Sequence, residues 1–535
     1  MNRFFLYLIT IRYLKFKQFA WQLWYRCRPK IKLKTKIAPG TNNPKHQWYF
    51  SVNRPKKIKK NKFEFIGFSA DISQPECWNN FEYPKLWHYH IHYFHDILNY
   101  TSSLSEINWL DILIKWAKYN PPMTKNSWEP YPLSLRIVNW IIWELQNSLL
   151  PSELVNHLYN QCIALTKQIE WHIDANHLWA NAKALVFAGC FFKDSEHWYQ
   201  HGMNLINREL QKQFYPDGGH IELSPMYHAL ITNDLLELIA LHRLYAKVYP
   251  SQWTMRVKRM LAWCQTVTHP DGEYGFFNDC IFNIAPTYEN LTKLAASLQL
   301  HVTSPSNYAS GYVKLSGSNY TLLADTAEIG CHYQPGHAHA DHLCFELSYN
   351  HQRIIVNSGI STYENQPLRH WQRSTSAHNT VTIDHKNSSQ IWHAFRLAKR
   401  AKIINRHYSK NLIAATHDGY SRLFRPVYHS RQWHCQDRQI AITDHIQGKS
   451  THTIDLYCYF HPACQLKIEF NKIYVFVEKT CVATLTFPEH AEIKLNTGYW
   501  YPDFGKSLAN QNIQINFSKI LLPYIIHWDI DIHGG

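Results

Sequence analysis

The hydrophobic period of this 535-residue chain changes once, near residue 305, and that switch limits the possible folds more than any other feature. From roughly 105 to 300, apolar residues recur at helical spacing, as in "LSLRIVNWIIWELQNSLL" and "NDLLELIALHRLYAKVY", separated by short Pro, Asn and Gly breaks. Beyond it, short β-branched and aromatic segments such as "YTLLADTAEI", "HLCFELSY", "HTIDLYCYFH" and "KIYVFVEK" alternate as strands do. Turn formers cluster between them in "HVTSPSNYASG", residues 301 to 311. The length favours two or three domains. The expectation is a multidomain α then β chain: helical hairpins to about residue 305, then an antiparallel β-sandwich over 306–535, with a ligand cleft where they meet.

Charge and aromatic content narrow the partner. Lys and Arg outnumber Asp and Glu by 55 to 40, which favours anionic partners. No zinc-finger spacing, RNA-binding signature or dinucleotide glycine fingerprint accompanies the charge, so no nucleic acid is expected. An acidic polysaccharide or acidic lipid remains. Twenty tryptophans and 33 tyrosines supply flat faces on which sugar rings stack. The basic run "RPKKIKKNK" at 54 to 62 reads as a solvated loop or strand edge.

Twelve cysteines with no C-x-x-C pair suit reduced thiols and a cytoplasmic setting. Residues 1–40 are basic and aromatic, interrupted by Arg12, and lack a small-residue cleavage site. They read either as a helix docked on its own protein or as a peripheral membrane contact on an anionic surface. The expected location is the cytoplasm or the inner-membrane surface, with the periplasm as the alternative.

Four passages carry polar residues that helix or strand packing does not require. "NSWEPYPLSLRIVNW" sets Trp128, Glu129, Tyr131 and Arg136 at a helix start. "DANHLWANAKAL" sets Asn176 and His177 before a helix, where Asn is also a common cap. "PDGGHIELSPMYHAL" brings Glu222, Tyr227 and His228 after a Gly-Gly turn. In "GHAHADH", residues 336 to 342, an extended strand would point His337 and His339 to one face, suiting two metal ligands or a ligand and a base. A zinc site needs a third ligand; "STSAHNTVTID" offers His378, and "RIIVNSG" only the neutral Asn357. Histidines satisfied by backbone carbonyls are the alternative.

Taken together and in this order, "NHLWANAKAL", "GGHIELSPMYH", "GHAHADHLCFELS" and "RSTSAHNTVTID" resemble the motifs of the heparinase II/III family of polysaccharide lyases. "LWHYHIHYFHDILNY" and "SWEPYPLSLRIVNW" also look like its N-terminal portion. The resemblance implies an (α/α) toroid catalytic domain over 41–305, then the sandwich, and β-elimination at a uronic acid of an acidic glycan. It implies Asn176 as the group that neutralises the uronate carboxylate, Tyr227 as acid (and base where stereochemistry allows) and His337 as base for the opposite epimer. Trp128, Arg136, His177, Glu222 and Arg373 are the expected sugar contacts. In metal-binding members of the family a site falls at the positions of His339, Asn357 and His378. The asparagine here replaces an aspartate, which weakens zinc binding unless another carboxylate such as Asp341 fills the gap. Members without a signal peptide resemble proteins of bacterial surface-polysaccharide biosynthesis.

Rival readings are a non-catalytic glycan-binding or assembly protein on the same scaffold, a C5-epimerase, and a hydrolase. The hydrolase would need two opposed carboxylates, for which Glu129 and Glu222 are the tempting pair.

Overall fold

A computed structural model describes residues 3–50, 56–99, 107–303 and 307–534. The expected switch at 305 and 306 and the start of the basic run at 54 and 55 lie outside the described residues. The last long helix of the first part is Tyr288–Ser297, and the first strand of the second is Tyr312–Ser316.

The helices form two rings. Pro130–Asn147, Ala175–Phe191, Pro225–Leu244 and Tyr288–Ser297 pack each against the next, and between them in sequence Ser152–Thr166, Glu196–Lys212 and Gln252–Thr266 pack on the outside. This is an (α/α) toroid. Sequence sets the ring each helix joins. Ala175–Phe191 buries every residue but His177, so it has no solvent face, as an inner helix must, and its buried Lys183 is paired with Asp234 (2.6 Å) and Glu237. Glu196–Lys212 buries Trp198, Tyr199, Gly202, Met203, Leu205, Ile206, Glu209 and Leu210, one stripe at helical spacing, and leaves its other face to water. Pro130 and Pro225 open two of the inner helices, where the missing N–H costs nothing. A small antiparallel sheet, Ile58–Lys59, Lys62–Phe65 and Phe68–Asp71, precedes the toroid and takes up the basic run, with Lys59 and Lys62 exposed.

The second half is antiparallel throughout its main sheets. An eight-stranded sheet, Ile403–Tyr408 at one edge and Cys464–Glu469 at the other, joins two four-stranded sheets through a shared apolar core. Strands such as Leu412–Tyr420 and Val427–Cys435 alternate buried and half-buried residues, the period of two expected of a sandwich. All twelve cysteines are unpaired thiols.

The two halves meet closely. Cys331 N–H donates to the Ile221 carbonyl (2.5 Å), and a Cβ on Gly330 would lie 2.3 Å from the Glu222 carbonyl oxygen. Only glycine allows the β-domain loop to lie this near the toroid.

Many of the 34 histidines are buried and neutral. His228 donates from Nε2 to the Met260 carbonyl (2.9 Å) and accepts at Nδ1 from His220 N–H (3.2 Å), leaving no room for a second proton. Burial lowers His157, His228 and His342 to about 4. Between that value and the ordinary 6.5 the unfolded chain binds more protons than the folded one, so stability rises with pH across this window. His228 alone contributes about 3 kcal/mol, fully present above pH 6.5 and lost as pH falls towards 4. Calorimetry should show Tm dropping steeply between pH 7 and 4.5, and a flat profile would contradict the burial of these neutral imidazoles.

Candidate active site

One cleft opens where the N-terminal ends of the inner helices face the β domain. Its wall includes Tyr93, Tyr131, Asn139, Asn176, Lys183, Tyr227, Tyr363 and Phe504. Asn176 does not cap its helix: Asp174 holds that position, and Asn176 lines the cleft. Helix N-termini carry partial positive charge, which suits an anionic group bound here.

Tyr227 stands in the first turn of Pro225–Leu244, whose N-cap Ser224 accepts from Tyr227 N–H (3.2 Å). Its ring packs on that of His337, centroids 4.0 Å apart and tilted 30°, and its hydroxyl meets that of Tyr363 at 3.2 Å. Burial, then the neighbouring Tyr363 and Tyr131 hydroxyls, raise the Tyr227 phenol well above its ordinary value, so it rests protonated.

His337 lies in an irregular loop rather than a strand. Its Nδ1 faces Asp279 Oδ2 at 2.9 Å and donates to it, so in the neutral imidazole the lone pair is on Nε2. Asp279 is fully buried. Its Oδ1 also accepts from His339 Nε2 (2.8 Å), and Arg369 donates to both oxygens (2.5 and 2.7 Å). Burial opposes the charge on Asp279, but Arg369, with His337 and His339, holds the carboxyl well below the usual carboxylate range. Backbone bonds lock the same segment in place. Asp279 N–H donates to the His337 carbonyl (3.1 Å), Asn278 Oδ1 accepts from His339 N–H (2.8 Å), and Ser224 Oγ donates to the Asp279 carbonyl (2.6 Å).

The remaining expected contacts divide. His177 is half-buried behind Tyr131 (ring centroids 4.4 Å apart) and bonds Glu170 Oε1 at 3.0 Å. Burial disfavours its charge, yet the Glu170 carboxylate prevails and raises its pKa. Glu222 is buried behind Asn176, whose N–H points at its Oε1 (3.5 Å), and burial raises its pKa. Three others face away from any sugar. Trp128 is buried and donates to the Asn120 carbonyl (3.0 Å), so Tyr131 is the aromatic of that motif that reaches the cleft. Arg136 is fully buried, bonded to Gln161 (2.8 Å) and packed on Trp116. Arg373 spends its guanidinium on the carbonyls of Pro335, Ala338, His393 and Ala394, clamping the "GHAHADH" loop from behind. Glu129 is taken by Lys85 (2.8 Å) and the Tyr89 hydroxyl; neither it nor Glu222 lines the cleft, so these two do not form an opposed carboxylate pair across it.

His339 and His378 raise a separate question. His339 Nε2 must donate to the Asp279 carboxylate, and His378 Nδ1 must donate to the Ser374 carbonyl (2.7 Å). In their neutral forms the two remaining nitrogens, 3.1 Å apart, then present lone pairs to each other. Asp341 offers a carboxylate oxygen within 4.8 Å of both. Two imidazole nitrogens and a carboxylate fit a divalent cation such as zinc. Asn357 is not part of this set: its Oδ1 accepts from Asn379 and its amide donates to Cys344 Sγ (3.5 Å), so its side chain is spent within the β domain. The expected third ligand therefore shifts from Asn357 to Asp341.

Asp279, Arg369 and Tyr363 were not singled out in the sequence. Asp279 is one acid in the apolar run "GFFNDCIFN", and a buried charge in such a run requires a partner; that is the signal available for it.

Comparison with known proteins accounts for most of the chain. Residues 90–298 match the family described as heparinase II/III N-terminus, and residues 303–529 that described as heparinase II/III-like, C-terminal. A heparin-sulfate lyase of Bacteroides stercoris is 27% identical over 245 residues, covering 40% of this chain and 36% of that protein. One of Pedobacter heparinus is 24% identical over 323 residues, covering 52% of this chain and 48% of that protein. The chain thus matches half or less of the length of these relatives. The crystal structure of Heparinase III superposes with a TM-score of 0.72 at 17% identity, covering 97% of this chain and 90% of that one. A heparan sulfate lyase HepC mutant from Pedobacter heparinus gives 0.61 at 18% identity, covering 89% and 81%. These structural likenesses bear on the fold, a toroid followed by a sandwich. With both of its halves matched in order, the chain belongs to the heparinase II/III-like family of polysaccharide lyases.

Proposed function

We propose that the protein cleaves a uronate-containing acidic glycan by β-elimination. The observation that carries this reading is the packed pair of Tyr227 and His337: Tyr227 rests protonated on the cleft wall that also holds Asn176, and the His337 ring lies against it with Nδ1 held by Asp279.

The roles follow from those states. The Asn176 amide, at a helix N-terminus, donates to the uronate carboxylate and stabilises the negative charge that develops when the C5 proton leaves. His337 Nε2 takes that proton, and the imidazolium formed is stabilised by Asp279 through Nδ1–H. The C4–O bond breaks as the C4=C5 double bond forms, and Tyr227 Oη gives its proton to the departing glycosidic oxygen. Tyr363 orients the Tyr227 hydroxyl, and the aromatic wall of Tyr93, Tyr131 and Phe504 suits stacked sugar rings. An epimerase would share the first step, but a protonated phenol packed against the base favours expulsion of the leaving group.

The heparin-sulfate lyase relatives support a glycosaminoglycan-like substrate. Handling of a bacterial surface polysaccharide at a membrane is a narrower form of the same proposal, supported by the basic, aromatic start of the chain. A divalent metal, when bound by His339, His378 and Asp341, would supply a fixed charge that holds the "GHAHADH" loop in shape. Proton transfer is left to His337 and Tyr227.

Incubation with a panel of acidic glycans should yield the ultraviolet absorbance of an unsaturated uronate. Tyr227→Phe and His337→Ala should each lower kcat by about 10²–10⁴-fold with little change in KM. Binding without this chromophore across the panel would sink the lyase reading, and solvent deuterium at C5 without cleavage would replace it by epimerisation.

Asp279→Asn should reduce kcat over a similar range, about 10²–10⁴-fold, because the amide no longer fixes the His337 tautomer. It should also lower stability by about 3 kcal/mol or more, since Arg369 is left buried without its counter-charge. Unchanged kcat would remove Asp279 from the reaction. Elemental analysis of the purified protein should find about one divalent metal per chain, lost in His378→Ala and kept in Asn357→Ala. Retention in the first or loss in the second would reverse the ligand assignment.

A further inference from the structure

The start of the chain presents a surface that the lyase chemistry does not use. Residues 1–63 contain 17 Lys and Arg and no Asp or Glu; the other 472 residues hold 38 basic and 40 acidic side chains. The net positive charge of the protein is therefore confined to this segment.

Two helices within it, Arg3–Ile11 and Phe16–Cys27, are arranged in reverse of a normal surface helix. Phe16, Phe19 and Leu23 fall at i, i+3 and i+7 on one face, and that face is turned outward, with Phe16 84% and Leu23 and Trp24 each 55% exposed. Gln18 is the residue turned inward, towards the His172 and Ile173 carbonyls. Phe5 and Leu8 extend the apolar surface along the first helix, and Arg12, Lys17 and Arg26 stand exposed beside it.

The hairpin is not loose. Its underside spans both domains: Trp21 stacks on Trp171 (6.1 Å) and Lys15 pairs with Asp174 (3.2 Å) on the toroid, while Tyr7 packs on Trp392 (4.7 Å) and Tyr13 under Arg400 (3.8 Å) on the β domain. The apolar face is thus the part left over after docking.

We propose that residues 3–27 form a rigid foot that seats the protein on an anionic lipid bilayer, with Phe5, Leu8, Phe16, Phe19, Leu23 and Trp24 in the acyl boundary and the basic side chains among the headgroups. The helices are about 14 and 18 Å long, well short of the roughly 30 Å hydrocarbon core, so they lie in the interface. Among the described residues no helix is long and apolar enough to cross a membrane. A hydrated acidic glycan would match the charge but gain nothing from the outward phenylalanines. A second copy would bury the apolar face but bring like charge against like. Only an anionic lipid surface matches both. Asp174, the residue tied by Lys15, caps the helix that carries Asn176, so the foot holds the cleft beside the bilayer.

The test uses the full-length protein and does not depend on its activity. Sedimentation with phosphatidylglycerol–phosphatidylcholine vesicles should pull down about tenfold more protein than vesicles of phosphatidylcholine alone. The excess should vanish at about 1 M salt, where the Debye length is about 3 Å. A variant with Phe16→Ser, Phe19→Ser, Leu23→Ser and Trp24→Ser, all exposed and so expected to keep the wild-type Tm, should lose about tenfold in binding. A second variant, Lys17→Gln with Arg26→Gln, should lose binding while keeping the apolar face. Equal sedimentation of wild type and both well-folded variants would overturn the proposal. So would retention on an immobilised acidic glycan, or concentration-dependent dimerisation, that disappears in these variants while vesicle binding is absent from the wild type.

Discussion

The buried carboxylate of Asp279 is the interaction on which the site depends. It belongs to the last loops of the toroid, yet all four of its charge-bearing contacts, from His337, His339 and both arms of Arg369, come from the β domain. An ion in this position would be costly without such partners, and removing any one of them leaves charge behind in a dry setting. The same two-residue segment, Asn278 and Asp279, also bonds the N-cap of the Tyr227 helix and the backbone of the histidine loop. Domain docking, the hydrogen bonding of His337 and the position of the Tyr227 helix are therefore set by one cluster.

That arrangement explains what could and could not be read from the sequence. The helical and strand periods are visible because each depends on neighbours within a few residues, and both halves of the fold follow from them. Asn176, Tyr227 and His337 emerged through the motifs around them, and the structure brings Asn176 and Tyr227 to one cleft wall with His337 packed on Tyr227. Trp128, Arg136 and Arg373 sit in other motifs of the same series but turn inward. Residue type tells that a guanidinium needs acceptors, and not whether those acceptors are a ligand or carbonyls of the chain itself. Arg373 finds four carbonyls, and Arg136 a glutamine and a tryptophan face. Asp279 has no spacing signature at all, because its partners lie about 60 and 90 residues away. Chains carry no local record of pairings at that distance.

The exchange of ligand around His339 and His378 follows a similar logic. Asn357 keeps the shape of an aspartate and is taken up by hydrogen bonds to Asn379 and Cys344. The carboxylate near the two imidazoles is instead Asp341, from within the same seven-residue stretch as His337 and His339. His337, His339 and Asp341 are thus adjacent in sequence, and their relative positions are fixed by a short loop clamped by Arg373.

The helical strap that crosses from Trp171 to Trp392 has a consequence for how this chain is handled as a molecule. It is fastened to both halves, so trimming the first residues to improve solubility would also cut a tie across the domain junction where the cleft lies. A shortened protein that stays in solution would then report on a looser hinge. The behaviour of this chain is best sought with its sticky helices Arg3–Ile11 and Phe16–Cys27 left in place.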